Sequence, residues 1–151
     1  MRIYTIGFSK RSAPAFFGAL RQAGIKRCID VRISNTSQLA GFTKRGDLPF
    51  FFEEICGAEY VHEPLLSPTL DLMRRYRQGR ADWNAYERRF LELMAERKIE
   101  DKLDRGLFDD PTALLCVETT PEYCHRRLIV EYLQEKWGNI TAEHLSQSDT
   151  M

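Results

Sequence analysis

Five strand-length runs are spaced along this chain by stretches long enough to form helices. The runs are Ile3–Ile6, Cys28–Val31, Glu59–Leu65, Pro111–Glu118 and Ile140–Leu145. Ala113-Leu114-Leu115-Cys116-Val117 is continuously apolar, as a strand buried on both faces must be. Helix signals fill the gaps. Ser12 caps a helix that carries Pro14 in its first turn and runs through Phe16, Phe17 and Leu20 to Gly24. Asp47 starts a short helix over 48–56 that Gly57 stops, and residues 68–80 read as partly helical. Asp82 caps a long helix with Trp83, Tyr86, Phe90 and Met94 on one face. Pro121 opens the last helix, which ends near Trp137. Strands alternating with helices from end to end predict a three-layer α/β fold. It has a mainly parallel, Rossmann-like sheet with helices on both faces.

Length and charge narrow the function. A chain of 151 residues reads as one α/β domain over 1–151, with 146–151 a frayed tail. Lys+Arg and Asp+Glu both number 22, so the formal net charge is zero. That argues against a surface wholly committed to nucleic acid and leaves room for a local basic patch. No apolar run reaches the ~20 residues of a membrane helix. Met1-Arg2-Ile3-Tyr4-Thr5-Ile6 enters a strand pattern at once, without the apolar core of a signal peptide. Cys28, Cys56, Cys116 and Cys124 lack the spacing of a secreted disulfide framework. Reduced thiols in the cytoplasm are expected.

Polar chemistry gathers at strand ends, where open α/β sheets bind ligands. Alternation puts Cys28, Asp30 and Arg32 on one strand face and Ile29 and Val31 on the other. A carboxylate in a core strand needs a partner. Asp30 therefore reads either as an internal brace to Arg32 or as part of a site. His62 lies late in the third strand and reads as an edge histidine or an acid. Cys116 and Glu118 share a face of the fourth strand. Thr119 or Thr120 can then cap the last helix, with Cys124 and His125 in its first turns. Helix-end potential makes Cys124 a candidate ionised nucleophile, while Cys116 reads as an inert small hydrophobe. Arg126 suits an anion, or else a structural pair with Glu118 or Asp30. Zinc held by Cys116, Cys124, His125 and His62 is disfavoured by spacing: there is no Cys-x-x-Cys, and adjacent Cys124 and His125 diverge on a helix. No metal and no cofactor are expected. Arg74, Arg75, Tyr76, Arg77 and Arg80 interleave arginine with an aromatic, a pattern suited to a nucleotide or short strand and also to a solvated helix face.

These residues also form an ordered set. Thr5-Ile6-Gly7-Phe8-Ser9, Ile29-Asp30-Val31-Arg32, Tyr60-Val61-His62, Leu115-Cys116-Val117-Glu118 and Cys124-His125-Arg126 resemble, in sequence, the bacterial domain-of-unknown-function 488 family. The resemblance spans nearly the whole chain. It implies one α/β domain with Asp30, Arg32, His62, Glu118, Cys124, His125 and Arg126 near one another. Family members read serine and proline after Asp-Val-Arg, where Ile33-Ser34-Asn35-Thr36-Ser37 here has no proline. They also carry Leu-Gly after the third strand, where this chain has Leu65-Leu66-Ser67-Pro68.

The expected function is a small cytoplasmic enzyme acting on a phosphate-bearing ligand, a nucleotide or nucleic-acid component. Its pocket lies at the carboxyl edge of the sheet, lined jointly by Asp30, Arg32, His62, Glu118 and Arg126. Arg32 and Arg126 bind the anion, Asp30 or Glu118 acts as base, His62 or His125 as acid, and Cys124 as nucleophile or redox-responsive thiol. The alternative is a non-catalytic module that binds nucleic acid or an anionic ligand. The partner is a small molecule or nucleic-acid component and not a membrane; the sequence does not set the oligomeric state.

Overall fold

The apolar run at Thr112–Cys116 becomes a strand in which every residue is buried, and this places it at the centre of the sheet. The computed structural model describes residues 1–8, 11–33, 47–116 and 124–145. Strands β1 (Arg2–Gly7), β2 (Arg27–Asp30), β3 (Glu59–His62), β4 (Thr112–Cys116) and β5 (Thr141–Leu145) form one sheet in the order β3-β2-β4-β1-β5. Every neighbouring pair is parallel. The α-helices of the described residues are α1 (Ala13–Gln22), α2 (Leu48–Phe51), α3 (Leu70–Arg77), α4 (Trp83–Arg97), α5 (Ile99–Lys102) and α6 (His125–Trp137).

Strand pleating divides the interior into two cores. Tyr4, Ile6, Cys28, Ala113 and Leu115 pack with Phe16, Phe17 and Leu20 of α1 and with Phe52. Their strand neighbours Ile3, Ile29, Leu114 and Cys116 face the other way, onto Phe90 and Met94 of α4 and Leu128 and Ile129 of α6. The expected three-layer α/β fold is the observed one. Crossovers through α1 and α2 move toward β3 on one face. Those through α3–α4 and α6 move back on the other face, as right-handed connections require. So β4 sends its chain to the face opposite that used by its neighbours β1 and β2. In open α/β sheets, ligands bind at such points of divergence.

Most element ends follow from local chemistry. Ser12, Thr69 and Asp82 each accept a backbone N–H as N-caps. Asp47 precedes α2 without a side-chain cap bond, and α2 continues as a π-helical turn over Phe52–Cys56. That turn ends at Gly57, whose φ of +61° few other residues adopt cheaply. β3 stops at His62, short of the expected Leu65, because Pro64 has no N–H for the ladder and begins a 3₁₀ turn over Pro64–Leu66. Helix α6 starts at His125, with Cys124 extended at φ −131° and ψ 139°. The expected helix start at Pro121 lies outside the described residues, as do Thr119, Thr120 and most of the 33–47 loop. Among the described residues no helix is long and apolar enough to cross a membrane.

Leu114 is fully buried in the central strand, where no neighbour can close the gap left by truncation. Leu114→Ala should cost about 2–5 kcal/mol of stability. Urea unfolding should show a lower midpoint with an unchanged slope.

Candidate functional site

The residues leaving β2 are held from every side. Asp30 is fully buried, and its Oδ1 accepts the Arg32 backbone N–H at 3.1 Å and Arg32 Nε at 2.9 Å. Its Oδ2 accepts Arg32 Nη2 at 2.7 Å and the Tyr60 hydroxyl at 2.5 Å. The Asp30 carbonyl accepts the Glu63 N–H at 2.9 Å, and the Val31 N–H reaches the Leu115 carbonyl at 3.0 Å. Arg32 lies with its guanidinium carbon 5.1 Å from the centre of the Phe8 ring. Burial works against its charge, but the bonds to Asp30 outweigh that and raise its pKa above the ordinary value.

This geometry corrects the role expected of Asp30. A carboxylate with both oxygens filled by Arg32 and Tyr60 is an anchor, and taking a proton requires it to release them. The internal brace is the reading the structure holds. It also removes Asp30 as the partner expected for Arg126; Glu118, the other suggested partner and candidate base, lies outside the described residues. Arg32 is correspondingly a braced cation, with two of its guanidinium nitrogens on Asp30.

Two histidines meet the same segment from opposite faces. His62 Nε2 lies 2.9 Å from the Arg32 carbonyl, and His125 Nε2 lies 2.8 Å from the Val31 carbonyl. A carbonyl only accepts, so each Nε2 carries the proton and each Nδ1 keeps its lone pair. His62 pairs in register with Asp30 and is half-buried, on the Asp30–Tyr60 side. His125 is buried on the α4–α6 side, its ring 5.4 Å from that of Phe90.

Cys116 and Cys124 accompany His125. The Nδ1 of His125 is 3.5 Å from Cys116 Sγ. One ligand atom from each of the three residues fits within 4.8 Å of the others. Two expectations change here. Cys116 is more than a hydrophobic filler, since its sulfur lies against the His125 imidazole. Cys124 is not an exposed thiolate: it is buried, and burial first, then its contact with Cys116, push its pKa well above the ordinary value. Nor do Cys124 and His125 diverge, because Cys124 is extended and only His125 is helical.

The expected single cluster therefore splits between two sheet faces. Asp30, Arg32 and His62 occupy one; Cys116, Cys124 and His125 occupy the other. Arg126, in the first turn of α6, is fully buried. Sequence reasoning missed Tyr60, whose signal was its place one pleat before His62, and Arg11. Arg11 is buried just after β1 and gives Nη2 to the Leu145 carbonyl at 2.8 Å. In the basic segment, Arg74, Arg75, Arg77 and Arg80 are exposed, but Tyr76 packs against Trp83 and Tyr86 at 5.5 and 5.1 Å. Arg75 pairs with Asp71 at 3.1 Å. Arginine and aromatic are thus parted, one to solvent and one to the core.

Two measurements check this account. Asp30→Asn strands the buried Arg32 charge and should lower stability by roughly 3–5 kcal/mol by denaturant titration. Brief alkylation of the folded, reduced protein should label Cys56 first. It is the half-buried thiol, whereas Cys28, Cys116 and Cys124 are buried. Faster labelling of Cys124 contradicts the burial described here.

A family model described as domain of unknown function DUF488 matches residues 12–133. No curated protein and no solved structure matches the chain. The matched region runs from the cap of α1 into α6, and so contains the braced Asp30–Arg32 pair, His62 and the Cys116–Cys124–His125 group. With most of its length matched in this way, the chain belongs to the DUF488 family.

Proposed function

We propose that this protein is a small cytoplasmic enzyme acting on a phosphate-bearing ligand, a nucleotide or nucleic-acid component, at the carboxyl edge of its sheet. The observation that carries the reading is charge placement. The chain is formally neutral, yet among the described residues Arg11, Arg32 and Arg126 are buried against one buried carboxylate, Asp30. Arg11 follows β1, Arg32 follows β2, and Arg126 opens the helix after β4. Guanidinium groups do not deprotonate, so each of the three keeps its own charge at this edge. A phosphate group matches such a charge and the planar fork of arginine.

His62 supplies the proton chemistry in this reading. It is half-buried, and its Nε2–H is tied to the Arg32 carbonyl. Its Nδ1 is then a positioned base beside the cationic edge, and once protonated it is an acid. Asp30 acts through Arg32, holding the guanidinium in one orientation. Free thiols at Cys28, Cys56, Cys116 and Cys124 accord with a reducing compartment. The binding-module alternative would use the exposed α3 arginines, beside which Tyr76 is half-buried against Trp83 and Tyr86.

The test is a melting screen with orthophosphate, nucleoside monophosphates and short oligonucleotides, followed by a turnover assay on any ligand that binds. A true ligand at a hundred times its Kd should stabilise the protein by about 2.7 kcal/mol. Arg11→Gln should weaken that shift. His62→Gln should keep it and lower turnover by about 10²–10⁴-fold. Binding without turnover in the wild type, or no stabilisation by any of these anions, refutes the enzyme reading.

A further inference from the structure

We propose that Cys116, Cys124 and His125 form a Cys₂His site for one Zn²⁺ ion. This goes beyond the anion-binding reading and is independent of it, since the trio lies on the opposite sheet face from Asp30, Arg32 and His62.

Geometry points first. Zn–S bonds near 2.3 Å and Zn–N bonds near 2.05 Å, at tetrahedral angles, separate S from N by about 3.5 Å and S from S by about 3.8 Å. The observed Cys116 Sγ–His125 Nδ1 distance is 3.5 Å, and all three ligand atoms lie within 4.8 Å of one another. The trio is already near ligand spacing, and small rotations complete it.

The imidazole is also set for a metal. His125 Nε2–H is held by the Val31 carbonyl at 2.8 Å, while Cys116 Sγ lies 3.5 Å from Nδ1, beside the ring. Metal-bound histidines are oriented in this way, the second nitrogen donating to a carbonyl or carboxylate. Cys116 and Cys124 belong to the same buried cluster as Tyr86, Phe90 and Leu128, and the His125 ring lies 5.4 Å from that of Phe90. Two thiolates and a neutral imidazole balance the charge of a divalent cation, so the loaded site adds no net charge to that core. Binding releases the two thiol protons. Zinc sites with three protein ligands take water or substrate as the fourth ligand, which would complete the tetrahedron here.

The experiment uses the full chain, purified under reducing conditions. Elemental analysis should find one zinc per chain. After dialysis against chelator, Co²⁺ titration should give tetrahedral d–d bands and a thiolate-to-cobalt charge-transfer band, saturating at one equivalent and displaced by Zn²⁺. Cys124→Ser and His125→Gln should each weaken Zn²⁺ affinity more than about tenfold, while Cys56→Ser, on the other face, should not. The wild-type cobalt spectrum needs no variant, so a variant that misfolds leaves the test standing. Absence of the charge-transfer band in reduced wild type overturns the proposal, as does unchanged affinity in both ligand variants.

Discussion

The Asp30 carboxylate takes the Arg32 backbone N–H, the Arg32 guanidinium and the Tyr60 hydroxyl, and the next two carbonyls are taken by His125 and His62. Three consecutive residues are thereby fixed at the end of β2, where a chain normally begins to loosen into a loop. Tyr60 and His62 come from β3, Leu115 from β4 and His125 from α6, so the end of β2 ties those elements together. The segment also spans the sheet. One histidine holds it from the α1 side and the other from the α4–α6 side.

An interaction of this kind serves geometry more than stability. Desolvating a carboxylate and a guanidinium offsets most of their attraction, and an apolar pair of equal volume often does as well. What the ion pair adds is direction. A bidentate fork fits in one orientation, and Phe8 beneath the guanidinium plane restricts it further. The two Nε2–H bonds act similarly on the histidines by setting their tautomers. Both faces of the edge thus present an imidazole Nδ1 whose position depends on the same backbone.

The fold was largely legible in the sequence because burial dictates it. A strand covered on both faces has to be apolar throughout, and Thr112–Cys116 is. Caps at Ser12 and Asp82 mark helix starts by chemistry confined to four residues. The short helix Ile99–Lys102 has no side-chain cap to announce it, and the 3₁₀ turn Arg105–Phe108 is capped by Asp104, a signal the sequence reading passed over. At the site, alternation correctly put Asp30 and Arg32 on one face of β2. It could not choose between brace and base, since that depends on Tyr60, a residue of another strand. Thiol exposure was misjudged for a related reason. Helix-start position suggested an accessible Cys124, whereas the apolar faces of α4 and α6 close over it.

The convergence of Cys116, Cys124 and His125 shows how a strand–helix junction escapes spacing rules. Ligand motifs such as Cys-x-x-Cys describe knuckles in which one local turn aims both side chains at the same point. Consecutive helical residues, about 100° apart around the axis, cannot do so. Here the change from extended backbone at Cys124 to helical backbone at His125 falls between the two residues, and that change brings their side chains together. Cys116, on the pleat of β4 that faces α6, completes the group. Its separation from Cys124 is set by a connection and not by a motif, so no periodicity announces it.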